Sequence, residues 1–131
     1  MAVLIDTSVF VAVERGSCSL AEFIRPDQRY ALSVVTAAEL LHGVHRASGR
    51  REQDRSAFVE GLLAGFGTVP LDLTIARAYA RISAELAAAG TPVDANDLWI
   101  AATAVARGLE VLALDGDFDR IPGVRRIGLP G

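Results

Sequence analysis

The chain has 131 residues, 51% hydrophobic and 22% charged, with a net charge of −3. These values exclude a disordered chain, allow one substantial buried core, and argue against strong whole-protein attraction to nucleic acid while leaving room for a local basic patch. All thirteen basic residues are arginine, which excludes any mechanism that needs lysine, and a single cysteine, Cys18, excludes an internal disulfide.

No apolar run approaches the ~20 residues of a membrane-spanning helix. The N-terminus has neither the basic region nor the cleavage site of a signal peptide. One bystander thiol suits a reducing compartment. A cytoplasmic protein is expected.

In chain order, Val3–Ile5 reads as a short buried strand, because it is apolar throughout and rich in β-branched residues. Residues 9–15 read as a helix, and residues 19–24 as a second short one that stops near Pro26. Residues 30–33 form the next strand. Helical spacing follows at Ala37, Ala38, Leu41, Val44 and Ala47, with Gly49 as the expected stop. Residues 53–63 form a further helix, and Gly67–Val69 is short and β-like.

From Thr74, apolar positions Ile75, Ala78, Tyr79, Ile82, Leu86 and Ala89 repeat at helical spacing and end at Gly90 and Pro92. Residues 98–106 are apolar nearly all round, which predicts a buried helix containing Trp99 as a packing residue. Gly108 ends it, residues 111–114 give a strand, and residues 124–127 add an edge strand. Strands alternating with helices imply crossover connections. The expectation is one α/β domain over residues 1–131, three layers deep, with a central and mostly parallel sheet.

In such a sheet the C-terminal strand ends share an edge, and ligands bind there. Asp6 directly follows the first strand and Asp115 directly follows the strand at 111–114, so the topology sends both carboxylates to one edge. Glu39 lies a few residues past the strand at 30–33, in the expected first turn of its helix, and should face the same edge. Spacing alone does not place Asp97. Each acid also has an ordinary structural role available. Asp6 can cap a helix, Thr36 and Glu39 match a capping box, Asp94 and Asp97 offer another cap, and Asp115 can serve a turn before Gly116.

Those ordinary roles predict no convergence, and convergence is costly. Four ionised carboxylates about 6 Å apart repel by on the order of 15 kcal/mol at an effective dielectric of ~20, comparable to the whole stability of a small domain, roughly 5–15 kcal/mol. Either some protonate or cations sit among them. Oxygen donors suit hard divalent ions, Mg²⁺ or Mn²⁺, which activate water and stabilise charge on a phosphoryl group.

The segments LIDTSVFVAVE, TAAELLHGV and PVDANDLWIAATAVARGLEVLALDGDFDRIPGV, in this order and spacing, resemble the PIN-domain nucleases, and among them the VapC-type toxins of bacterial toxin–antitoxin pairs. The likeness runs nearly end to end. It implies a compact α/β/α fold and an endoribonuclease that cuts RNA with Mg²⁺ or Mn²⁺. It implies a catalytic set of Asp6, Glu39, Asp97 and Asp115. Asp6, Asp97 and Asp115 would hold the ion, with Asp117 as a further metal ligand ranked below Asp115. Glu39 would bind a second ion or orient the attacking water. Asp119 is expected to face solvent. Thr7 or Ser8 matches the family's hydroxyl beside the first aspartate. Ala113 departs from a common Thr or Ser in that position.

The likeness further implies a homodimer and a cognate antitoxin whose C-terminal tail presents an arginine to the acidic pocket. A cluster of Leu20, Phe23 and Ile24 is either a groove for that tail or ordinary core. Arg46, Arg50, Arg51 and Arg55 gather at one helix boundary, as a solvated face or as phosphate contacts. Other acid-bearing folds fit worse. A receiver domain needs a lysine. A haloacid dehalogenase-like phosphatase needs a second acid where Ser8 stands. The E-x-x-H of Glu39 and His42 lacks the second motif of a di-iron site. The remaining alternatives are a PIN fold kept for partner binding, or a PIN nuclease in RNA processing outside such a pair.

Overall fold

Strand β1 (Ala2–Ile5) takes the centre of the sheet because its side chains are apolar on both faces. In the computed structural model, which describes residues 2–128, it pairs in parallel with β2 (Arg29–Ser33) on one side and with β4 (Glu110–Leu112) on the other. Short strands β3 (Gly67–Val69) and β5 (Arg126–Ile127) extend the two edges, also in parallel, giving the order β3-β2-β1-β4-β5.

The alternation of side chains along β1 sorts the core into layers. Val3 and Ile5 pack with Leu32, Leu112 and residues of helices α1 (Thr7–Glu14), α2 (Val34–Arg46) and α3 (Gly49–Gly65), among them Phe10, Leu40, Val44, Val59 and Leu62. Leu4 faces the opposite way, with Val111 and Ala113. It packs against Ile82 and Leu86 of α4 (Leu73–Ala88) and Leu98, Ile100, Ala101 and Ala104 of α5 (Ala95–Arg107). The result is the expected α/β/α sandwich. Among the described residues no helix is long and apolar enough to cross a membrane.

Local chemistry sets the element ends. Ser33 caps α2 by accepting from the Val35 N–H at 3.0 Å, so the helix starts at Val34 and Thr36 lies buried inside it. The expected capping box at Thr36 and Glu39 therefore does not form. Glu39 falls in the second turn instead of the first. Gly49 opens α3 rather than stopping the preceding helix, which ends at Arg46. Gly108 caps α5 in the left-handed region at φ 68°, and the Leu109 N–H closes back on the Ala104 carbonyl at 2.8 Å.

Three expected elements are shorter than their sequence pattern, and the edge strand expected at 124–127 is only Arg126–Ile127. Residues 19–24 contract to one 3-10 turn (Leu20–Glu22). Phe23 is buried there, and Leu20 and Ile24 pack on the first core, so this cluster is core. The strand at 111–114 ends at Leu112, although the Ala113 N–H still donates to the Ile127 carbonyl at 3.2 Å. Trp99 packs as expected, stacked on Tyr79 of α4 with ring centroids 3.9 Å apart.

The sheet order also defines where a ligand fits. The chain leaves β1 toward β2 and β3, then returns to place β4 on the other side of β1. That reversal opens a crevice at the C-terminal ends of β1 and β4. Phe10, fully buried beneath this edge on α1, should be critical to it. Phe10→Ala is expected to cost about 3–5 kcal/mol, read as a lowered midpoint in urea unfolding.

Candidate active site

Asp6 is the first residue past β1. Its N–H donates to the Leu112 carbonyl at 2.9 Å, which ties it to the end of β4, and its Oδ2 accepts the Ser8 N–H at 3.1 Å as the cap of α1. The side chain is nearly out of water, at 3% exposure. Burial pushes its carboxyl above the ordinary value. The Ser8 bonds oppose that shift, and the charges of Asp115 and Glu39 add to it. The capping role and the convergent role are thus held by the same side chain.

Glu39 reaches the edge from α2. The Thr7 hydroxyl donates to its Oε1 at 2.7 Å, and Asn96 Nδ2 donates to its Oε2 at 3.3 Å. Thr36 Oγ1 lies 3.3 Å from Thr7 Oγ1, inside the helix that carries Glu39. Both carboxylate oxygens are therefore held by neutral donors, which orient the group without cancelling its charge.

Asp97 enters from the first turn of α5. Asp94, not Asp97, caps that helix, through the Asn96 N–H at 3.1 Å. The Asp97 carboxyl is pushed up to about 7, first by burial and then by the negative charges of Asp6, Asp94, Asp115 and Asp117. Asp115 follows β4 after Ala113 and Leu114, and its Oδ1 accepts the Asp117 N–H at 3.2 Å. The Leu114 N–H donates to Ser8 Oγ at 3.2 Å, which stitches the β4 end to the α1 start. Asp117 begins a 3-10 turn (Asp117–Arg120) and lies 3.6 Å from Arg120.

Acids from four separate segments thus share one electrostatic neighbourhood. None of the six ion pairs among the described residues includes Asp6, Glu39, Asp97 or Asp115. Among the same residues no three His, Cys, Asp or Glu side chains are grouped closely enough to hold a metal ion as they stand, so an ion would have to draw the carboxylates together. The donors are all carboxylate oxygens, two of them carry raised proton affinities, and the four core acids lack a paired cation. That donor set fits a hard divalent ion. Of the two histidines, His42 lines a pocket together with Glu39, Thr7 and Asn96 as well as Val34, Ala38 and Leu71, and His45 is exposed.

Beside Glu39 and Thr7 runs a groove of roughly 980 Å³, floored by Phe10, Leu40, Phe58 and Val59 and edged by Arg50 and Arg51. Arg55, in the same cluster, is committed to Glu14 at 3.0 Å and to the Gly43 carbonyl at 3.1 Å. Sequence reasoning missed Asn96, whose partner is 57 residues away. Asp119 faces solvent as expected, and the sequence did not show that Arg126 holds its carboxylate there at 2.9 Å.

The PIN domain family model matches residues 3–124. The chain belongs to the PIN domain family. Its relatives there carry the VapC name: it is 42% identical over 125 residues to Ribonuclease VapC5 of Mycobacterium tuberculosis, covering 95% of this chain and 90% of that one. It is 38% identical over 128 residues to Ribonuclease VapC4 of the same organism, covering 95% and 94%. The crystal structure of VapBC-5 from Mycobacterium tuberculosis, a member of the VapBC family of toxin-antitoxin systems, superposes with a TM-score of 0.79 at 37% identity, over 99% of this chain and 98% of that one.

Asp6 and Asp97 bind a proton more tightly in the folded chain than at the ordinary value of 3.8. Folding without divalent ions therefore takes up protons, and the Asp97 contribution makes stability fall as pH rises from about 4 to about 7, with Asp6 acting in the same direction. Thermal melting in chelator should show this decline for the wild type and a flatter profile for Asp97→Asn. Equal slopes would reject the assignment of Asp97.

Proposed function

We propose that this protein is a metal-dependent endoribonuclease that acts as the toxin of a toxin–antitoxin pair. The observation that carries the reading is that Asp6, Glu39, Asp97 and Asp115, which come from four segments, act on one another electrostatically while none of them is in an ion pair. Kinship with ribonucleases of the VapC type supports the substrate class.

In this reading Asp6, Asp97 and Asp115 hold a Mg²⁺ or Mn²⁺ ion, with Asp117 as a further ligand. A divalent ion bound there supplies Lewis acidity toward water and the phosphodiester. The protein's own contribution is placement. Asp6 is fixed by its backbone bond to β4 and its cap on α1. Glu39, clamped by Thr7 and Asn96, orients the attacking water as a catalytic carboxylate. Asp97 must give up the proton that its burial, and then its acidic neighbours, favour before it can serve as a ligand.

The RNA backbone approaches along the groove rim, where Arg50 and Arg51 offset the acidic crevice. An antitoxin segment lying on the apolar groove floor would exclude RNA, and a guanidinium from it would pair with the surplus carboxylates. The VapBC-5 complex supports such a partner. The exposed Val34, Leu71 and Leu73 offer an apolar face for a homodimer. We place the protein in the cytoplasm, with its RNA substrate.

Asp6→Asn keeps a capping side chain while removing a charge from the crevice. It should reduce RNA cleavage in Mg²⁺ or Mn²⁺ to below about one hundredth of wild type, with a melting temperature no lower than wild type. Cleavage at the wild-type rate would end the assignment. Replacing Arg50 and Arg51 together by alanine should raise KM and flatten its salt dependence with kcat preserved. An unchanged salt slope would remove these two residues from the RNA path.

A further inference from the structure

The segment 113–120 carries both Asp115 and Asp117, yet it consists of irregular chain over 113–116 and a single 3-10 turn over 117–120, outside the strands of the sheet. Something must hold its acids in register with Asp6. Phe118 anchors one side by inserting into the second core, fully buried. Asp119 follows it and turns the other way, toward β5. There Arg126 donates from Nε to Asp119 Oδ1 at 2.9 Å and from Nη2 to Oδ2 at 3.2 Å, a two-pronged fork. Its third nitrogen, Nη1, donates to the Ala113 carbonyl at 3.1 Å. One guanidinium therefore grips the segment at both ends, before Asp115 and after Asp117.

The surroundings are built for this grip. Gly116 leaves room for the carboxylate: a side-chain carbon there would come within 3.3 Å of Asp119 Oδ2. Arg126 itself is fixed by strand pairing, since Leu112 and Ile127 are in register and the Val111 N–H donates to the Arg125 carbonyl at 2.9 Å. The pairing stabilises both charges, holding Asp119 below and Arg126 above their ordinary values. The guanidinium makes its direct ionic contacts to Asp119, and it also attracts the Asp115 carboxylate electrostatically from beyond ion-pair distance.

We propose that Arg126, with Asp119 as its anchor, is a positioning residue that fixes the segment 113–120 so that Asp115 faces Asp6 and Asp97. The inference rests on the metal-site reading above, and it assigns to the Arg126–Asp119 pair the definition of that site's β4 side. A lysine keeps the charge but cannot reproduce the three-pronged contact.

The test compares wild type, Arg126→Met, Arg126→Lys and Asp119→Asn. Mn²⁺ binding is measured by calorimetry on the purified chain, and amide hydrogen exchange is measured over residues 113–120. All three variants should keep the wild-type circular dichroism spectrum. Each should bind Mn²⁺ about tenfold more weakly and exchange faster at the Asp117 and Asp119 amides. In RNA cleavage kcat should fall by a similar factor with KM unchanged, a split that general destabilisation does not produce. Binding within twofold of wild type together with unchanged exchange in Arg126→Met and Arg126→Lys overturns the proposal. If the wild type binds Mn²⁺ but cuts no RNA, the nuclease reading falls, and binding and exchange still decide the role of Arg126. If it binds no Mn²⁺, the exchange rates alone decide it.

Discussion

Asp6 leaves the central strand with its carboxylate almost removed from water, and three further acids arrive beside it from other parts of the chain. A buried charge is tolerated only if it is hydrogen-bonded, neutralised or protonated. Much of the local architecture answers that constraint. The Ser8 N–H satisfies Asp6, the Leu112 carbonyl fixes its backbone, Thr7 and Asn96 occupy both oxygens of Glu39, and a shift toward neutrality relieves Asp97. The sheet supplies the stiffness that keeps these groups together despite their repulsion. A loop-borne cluster of the same composition would relax apart.

Helix starts recur as the device that aims the acids. Asp6 and Asp94 cap α1 and α5, and Asp97 lies in the first turn of α5. Helix N-termini favour negative charge, so part of the cost of gathering carboxylates is offset by the backbone itself. At Asp6 the cap and the convergence with the other acids therefore do not compete, because the cap fixes the direction of that side chain.

Much of this was legible before any coordinates. The parallel topology alone sends Asp6 and Asp115 to one edge, because both follow strands that read as buried and β-rich. Asp97 was not legible in this way, since the segment before it is a loop and only the packing of α5 over the sheet places it. Glu39 was assigned to the right edge for a partly wrong reason. The run Val34-Val35-Thr36 looks like strand, which hides the Ser33 cap and displaces the helix start by one turn. The start of α3 was hidden by charge, because Arg50, Arg51 and Glu52 carry no apolar period. Asn96, Asp119 and Arg126 were invisible as a matter of principle. Their roles depend on contacts across 57 residues in one case and on strand register in the other.

The stacking of Trp99 on Tyr79 has a practical side. Trp99 is the only indole in the chain, and it stands two residues beyond Asp97 on the same helix, sandwiched where α4 meets α5. Its intrinsic fluorescence is therefore a native optical probe attached to the acidic crevice through one turn of rigid helix. Any movement of α5 as the crevice fills would change the ring overlap, and the chain would signal it without an added label.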